Sequence, residues 1–315
     1  MITRLAPSPT GALHLGNART FLVNWLLARQ QGWKILLRIE DIDGPRIKPE
    51  FAQQAIDDLQ WLGIDWDLGP VYQSSQILTY KSAIDELINS GYAYPCICTR
   101  KEVETAASAP HAEDGSAIYP GTCRGRFKSV AEATASAGRA PAIRFQVPDE
   151  IIEWTDLFAG PERCDMARQL GDFVIAKADE TPAYQLAVVV DDLAGGITHV
   201  VRGDDLLDST PRQILLYRAF GESSHIPQHY HLPLVVGTDG RRLAKRHGDT
   251  RLSTLRQSGV PAGTVLKLLS RWSGIANANP ATAADLLGHF AISKLSPQPI
   301  VFDSVNELAL LFPGR

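Results

Sequence analysis

The chain has 315 residues, 44% of them hydrophobic and 21% charged, which is enough apolar material for a sizeable core and too much for a disordered chain. Its 31 basic and 35 acidic residues leave a net charge of −4, so no overall basic field advertises nucleic acid, although a local patch still would. No apolar run reaches the roughly 18 residues of a membrane span, the opening MITRLAPSPTG lacks the apolar stretch of a secretion leader, and four cysteines make no disulfide framework.

The expectation is a cytoplasmic globular protein of about two domains. In chain order, Ala18, Phe21, Leu22, Trp25 and Leu26 recur at helical spacing, with Gly32 as the stop. Residues 35–39 read as a buried strand running into Glu40, Asp41 and Asp43. Pro49 opens a second helix that carries Ala55, Leu59 and Leu62 on one face and stops near Gly63. A third starts around Ser75, turns Ile77, Tyr80, Ile84, Leu87 and Ile88 inward, and ends at Gly91. This alternation predicts an α/β fold around a parallel sheet.

Between Tyr94 and Gly171 the pattern breaks. The stretch holds all four cysteines, low-complexity runs at 106–116 and 130–140, and a short strand at 142–147, and it reads as an inserted subdomain. Strands are predicted again at 172–175, 186–190, 197–201 and 232–236. Before the last of these lies a helix with Thr210 as N-cap, Pro211 at its first position and Gly221 beyond its end. After Asp249 the pattern is mainly helical. The expected division is 1–93 and 171–240 for the two halves of the α/β domain, 94–170 for the insert, and 241–315 for a loop and a small helical region.

Two constellations carry chemistry. The run from Pro7 to Asn17 sits between a short apolar start and a strong helix. Gly11 and Gly16 let backbone approach a ligand, and the helix start offers N–H groups and a positive dipole end to phosphate. His14 either adds a donor there or merely caps the turn. Walker A, G-x-G-x-x-G, H-E-x-x-H and G-x-S-x-G patterns are absent. In the insert, Cys96, Cys98 and Cys123 supply most of a tetrahedral zinc shell, with His111 as the ordinary fourth ligand, or else are unpaired structural cysteines.

Arg4-Leu5-Ala6-Pro7-Ser8-Pro9-Thr10-Gly11 followed by His14-Leu15-Gly16 resembles the signature of the class I glutamyl-tRNA synthetases. Further blocks follow in the same order at residues 37–43, 171–192 and 196–203, and Arg242-Leu243-Ala244-Lys245-Arg246 stands where that family has its KMSKS loop. The resemblance implies a Rossmann-like parallel sheet with a zinc-binding insert, and chemistry with ATP and Mg²⁺. It implies an ATP site at Gly11, His14, Gly16, Asn17, Lys245 and Arg246, with His14 and Lys245 catalytic. Asn17 replaces the second histidine of the family motif, and only the second lysine of the loop is kept. It also implies a glutamate pocket. Arg4 and Arg202 would bind substrate carboxylate, for which arginine offers a planar fork. Glu40 would hold the α-ammonium, Ser8 and Tyr184 would hydrogen-bond, and Ala6 would complete the wall. Asp191-Asp192, at the end of the predicted strand 186–190, would cap a turn or assist Mg²⁺; the turn is favoured.

The chain is similar, more narrowly, to a short branch of that family, the glutamyl-Q tRNA(Asp) synthetases. These carry C-x-C followed by Tyr-x-x-x-Cys, which Tyr119 to Cys123 fits, so the resemblance implies Tyr119 rather than His111 as the fourth zinc ligand. About 65 residues follow Thr250, too few for a large anticodon-reading region, and Val188 stands where the longer enzymes commonly carry Asn. The implied activity is tRNA-independent activation of L-glutamate, then transfer to the queuosine base in the anticodon loop of tRNA(Asp). Arg124, Arg126 and Lys128 would contact phosphates. A monomer is expected. The alternatives are charging of tRNA(Glu), or an inactive tRNA-binding paralogue suggested by the degenerate 242–246 loop.

Overall fold

A computed structural model of the chain describes residues 1–42, 49–106, 118–241, 243 and 250–311. The expected alternation opens the fold: β1 (Ile2–Leu5), α1 (Leu15–Gln30), β2 (Lys34–Ile39), α2 (Pro49–Trp61), β3 (Leu68–Tyr72) and α3 (Ile77–Asn89). The three strands are parallel in the order β1-β2-β3, with Leu5 opposite Leu37 and Ile39 opposite Tyr72. Helix α1 buries residues around its whole circumference, among them Leu22, Leu26, Arg19 and Asn24, because it runs between the sheet and the C-terminal helices.

The insert contributes β4 (Ala93–Cys96), α4 (Arg100–Ala106), α5 (Val130–Ala137), β5 (Ala142–Phe145) and a hairpin of β6 (Ile151–Asp156) with β7 (Gly160–Asp165). The next strand, β8 (Phe173–Ala176), departs from expectation. It pairs antiparallel with β5 in a β4-β5-β8 sheet and does not extend the parallel one.

The remaining elements are α6 (Tyr184–Ala194), β9 (His199–Gly203), α7 (Ser209–Ala219), β10 (Gln228–Leu232), β11 (Val235–Gly237), α8 (Leu252–Gln257), α9 (Ala262–Trp272), β12 (Ile300–Phe302) and α10 (Ser304–Leu311). The β9–β10 pair is parallel and lies against β1, where the Thr198 N–H donates to the Ile2 carbonyl at 2.9 Å.

Three expectations are corrected here. Residues 186–190 belong to helix α6, not to a strand. A short apolar run has no period of its own, and this one is buried on all sides between α3 and α7. The predicted strand 232–236 is broken at Pro233, which has no N–H to donate, so β10 ends and β11 begins around it. Thr210 is not an N-cap: α7 begins at Ser209, and the Thr210 hydroxyl accepts from Arg202 instead.

The two largest cores among the described residues divide the fold. One joins α1, β1, β2, α2 and the C-terminal α8 and α9; the other packs α3, α6 and α7 on the insert's sheet. Gly171 sits where the insert returns to the body, at φ 63° and ψ −175°, and a Cβ there would lie 2.8 Å from Ile118 Cγ2. That backbone conformation is essentially restricted to glycine. Gly171→Ala is therefore expected to destabilise the fold by about 1–3 kcal/mol; an unchanged midpoint in urea unfolding would refute this.

Candidate active site and metal cluster

The parallel strands β1, β2 and β9 end on the same side, where an open sheet leaves a crevice for ligands. A cavity of about 230 Å³ opens there, closed by the starts of α1 and α6. Its wall includes Arg4, Ala6, Ser8, His14, Gly16, Asn17, Glu40, Tyr184 and Arg202, together with Thr20 and Asp205, which the sequence did not single out, and Phe21, read there as a core residue of the helix. Gly11 is not part of the wall. Lys245, Arg246 and Arg242 lie outside the described residues, as does His111.

At the start of α1 the structure corrects the picture of open amides. His14 is the N-cap, and its Nδ1 accepts from Gly16 N–H at 3.2 Å and Asn17 N–H at 3.4 Å. The Asn17 side chain accepts in turn from the His14 N–H at 3.3 Å, closing a capping box. Leu15 N–H donates to Thr250 C=O and Ala18 N–H to His14 C=O, each at 3.0 Å. With Nδ1 accepting, the ring proton of His14 is on Nε2. A Cβ on Gly16 would crowd this cap, meeting two ring atoms of His14 at 3.1 Å.

Behind Glu40, beneath the cavity wall, lies a buried cluster of charge. Arg38, 1% exposed near the end of β2, binds Asp192 Oδ1 at 2.5 Å and Glu40 Oε1 at 3.0 Å, with Asp191 Oδ2 at 3.6 Å. Burial works against its charge, but these three carboxylates outweigh burial and hold its pKa above the ordinary value. Asp191 is further tied to Gln73 and Tyr80, each at 2.7 Å. Burial nevertheless pushes Asp191 and Glu40 above the usual carboxylate range. The expected turn or magnesium role of Asp191-Asp192 is thus replaced by a buried ion-pair role on α6. The signal was available in the sequence, as an arginine inside an apolar strand and two aspartates inside an apolar run.

Among the described residues Arg4 reaches one carboxylate, Asp192 at 3.6 Å. Arg202 reaches none among the described residues. Its hydrogen bonds go to His231, Gln213, Thr210 and the Leu206 carbonyl. Burial lowers the Arg202 pKa and the Arg4 cation adds to this, with Tyr184 acting in the opposite sense. Four of the five N–H groups of Arg202 are engaged, so it presents its charge and one Nη1 N–H rather than an open fork.

In the insert, Cys96, Cys98 and Cys123 bring their sulfur atoms within 4.8 Å of one another. The Tyr119 hydroxyl lies 3.3 Å from Cys96 Sγ and 3.4 Å from Cys98 Sγ, and accepts from the Cys123 N–H at 2.9 Å. A tetrahedral zinc ion with Zn–S about 2.3 Å and Zn–O about 2.0 Å needs S···S near 3.8 Å and S···O near 3.5 Å. The four atoms therefore fit that cation in spacing and in donor type. Arg144 stacks on the Tyr119 ring at 3.9 Å, while burial and the neighbouring thiols push the Tyr119 hydroxyl pKa up, so only a bound cation would bring it to the phenolate. Arg124, expected at a phosphate, is committed to buried Asp172, which also takes Tyr94 OH and the Val147 N–H.

Residues 1–303 match the family described as tRNA synthetases class I (E and Q), catalytic domain. A glutamyl-Q tRNA(Asp) synthetase of Symbiobacterium thermophilum is 48% identical over 98% of this chain and 97% of its own. One from Rhodopirellula baltica is 45% identical over 97% and 98%. A glutamate–tRNA ligase of Synechococcus sp. is 39% identical over 98% of this chain, which spans 63% of that enzyme. The crystal structure of a glutamate tRNA ligase from Elizabethkingia meningosepticum in complex with its amino acid superposes with a TM-score of 0.80 at 26% identity, covering 98% of this chain and 68% of the other. Built on the family's parallel sheet and matched over nearly its whole length, this chain belongs to the class I aminoacyl-tRNA synthetases of the glutamate and glutamine branch, and is a ligase of that family.

Proposed function

We propose that the protein activates L-glutamate with ATP in the absence of tRNA and transfers it to the queuosine base in the anticodon loop of tRNA(Asp). The observation that carries the first half is the charge layout of the cavity. Glu40 lines the cavity with Asp191 and Asp192 behind it on Arg38, and Asp205 lines it elsewhere, whereas the hydrogen bonds of buried Arg202 go to neutral partners. A zwitterion with an extra carboxylate matches this, with its ammonium at Glu40 and its side chain between Arg202 and Arg4. Glutamine would leave the Arg202 charge uncompensated, a costly omission in a buried site.

In the reaction a glutamate α-carboxylate oxygen attacks the α-phosphorus of ATP, the bond to the β-phosphate oxygen breaks, and pyrophosphate leaves. Negative charge on the phosphoryl oxygens calls for donors fixed in advance. His14 Nε2–H is assigned that task, with Lys245 and Arg246 carrying positive charge to the leaving group. Magnesium would enter with the ATP phosphates; Asp191 and Asp192 are spent on Arg38 and do not fit as its ligands. In the second step a hydroxyl of the queuosine ring attacks the activated carbonyl, an ester forms and AMP leaves. This assignment draws on the two glutamyl-Q tRNA(Asp) synthetases above and a third from Nitratidesulfovibrio vulgaris, 44% identical over 95% of this chain and 94% of its own. Arg126 and Lys128, exposed beside the cysteine cluster, are the remaining candidates for phosphate contacts.

Pyrophosphate exchange with ATP and glutamate, without tRNA, is expected to proceed and to fail with glutamine; absence of exchange with glutamate refutes the first step. Labelled glutamate should appear on queuosine-bearing tRNA(Asp) as a base-labile ester, and on neither unmodified tRNA(Asp) nor tRNA(Glu). Label on tRNA(Glu) would instead favour the charging reaction.

Zinc is assigned to Cys96, Cys98, Cys123 and Tyr119, with a structural role. Metal analysis should find one zinc per chain, lost in Cys98→Ser. Tyr119→Phe should weaken retention against a chelator by on the order of tenfold or more, and His111→Ala should not. The reverse pattern would move the fourth ligand to His111.

A further inference from the structure

Arg202 is gripped from behind the cavity. Its Nε–H donates to His231 Nε2 at 2.9 Å, and His231 Nδ1 lies 2.6 Å from Asp156 Oδ2. His231 and Asp156 are each 1% exposed. Asp156 closes β6, and its other oxygen accepts three backbone N–H groups, from Phe158 at 2.9 Å, Ala159 at 2.8 Å and His231 at 3.1 Å. That carboxylate is therefore anchored independently of the imidazole.

The proton positions follow from donor arithmetic. An arginine can only donate, so His231 Nε2 is the lone-pair nitrogen and the ring proton is on Nδ1, facing Asp156. Burial and the Arg202 cation hold the His231 pKa below its ordinary value against the pull of Asp156, which keeps the ring neutral. A neutral ring leaves Arg202 its full charge, whereas a carboxylate in direct contact would partly cancel it.

We propose that His231, held in one tautomer by Asp156, is a positioning residue for Arg202 that fixes the guanidinium at the cavity wall and so sets the preference for a substrate side chain ending in a carboxylate. This rests on the reading that Arg202 receives that carboxylate. The pair acts on binding rather than on the transferring phosphoryl group, so its loss appears in KM for glutamate and not in kcat.

Asp156→Asn is the discriminating variant. The amide oxygen can keep the three backbone donors, and the new N–H then faces His231 Nδ1. The ring proton moves to Nε2 and meets Arg202 Nε–H, donor against donor. In tRNA-independent pyrophosphate exchange, KM for glutamate should rise by about tenfold or more, with kcat and KM for ATP within about threefold. Preference for glutamate over glutamine should fall by the same factor. His231→Leu should behave alike, and His231→Gln, which offers a carbonyl to Arg202 and an amide N–H to Asp156, should recover most of the loss. If Asp156→Asn fails to fold, the His231→Leu and His231→Gln pair decides.

The role is overturned if folded Asp156→Asn or His231→Leu keeps the parent KM for glutamate, if His231→Gln is no better than His231→Leu, or if kcat and both KM values worsen together. Arg202→Gln, measured in parallel, separates the two readings. An unchanged KM for glutamate there removes the carboxylate site itself; a raised KM there alongside unaffected Asp156→Asn and His231→Leu removes only the positioning role.

Discussion

A single guanidinium buried in the middle strand organises the cavity. Arg38 is the one charged residue of the apolar run 35–39 in β2 and is compensated by two adjacent aspartates of α6 and by Glu40 just past the end of its own strand. The two aspartates hang on one turn of α6, so the pairing locks that helix against the sheet and sets its first residue, Tyr184, at the cavity. Asp192 also reaches Arg4, and Asp191 recruits Tyr80 and Gln73. Taking Arg38 away would leave three carboxylates facing one another in a dry interior, typically at a cost of about 3–5 kcal/mol. The arrangement is thus cooperative: the negative end of the cavity exists because Arg38 holds it together.

Much of this fold follows from periodicity and punctuation. Helices α1 to α3 are announced by apolar residues at helical spacing and glycine stops, and the crevice at the strand ends by the glycine–histidine loop. What could not be read had specific physical causes. Residues 186–190 have the composition of a strand but sit between two helices, and burial on every side erases the period that would distinguish the two. Thr210 has the right neighbours for a cap, yet its hydroxyl is claimed by Arg202 from another element. The link from Asp156 to His231 spans 75 positions, beyond any local pattern. In the insert, the cysteines were visible by spacing alone, whereas the alignment of Tyr119 with them depends on a bridge to Gly171.

The insert is joined to the body through Asp172. Its carboxylate collects Arg124, next to Cys123, and Tyr94, two residues before Cys96, while its carbonyl accepts from Arg144, which covers Tyr119. The cysteine cluster is therefore tied to the β4-β5-β8 sheet by polar contacts as well as by chain connectivity. Asp172 thus stands between the cluster and β8, whose chain leads on to α6.

The cap on α1 has a consequence for how the pocket treats anions. Amides at a helix start that stood bare would attract any phosphate, sulfate or carboxylate in the surrounding solution. Here the imidazole occupies them, so a newcomer must evict an acceptor already in place, and the exchange of one hydrogen bond for another is close to neutral. Only a guest bringing further contacts of its own gains from the trade, and small inorganic ions are left as poor competitors for the nucleotide's seat.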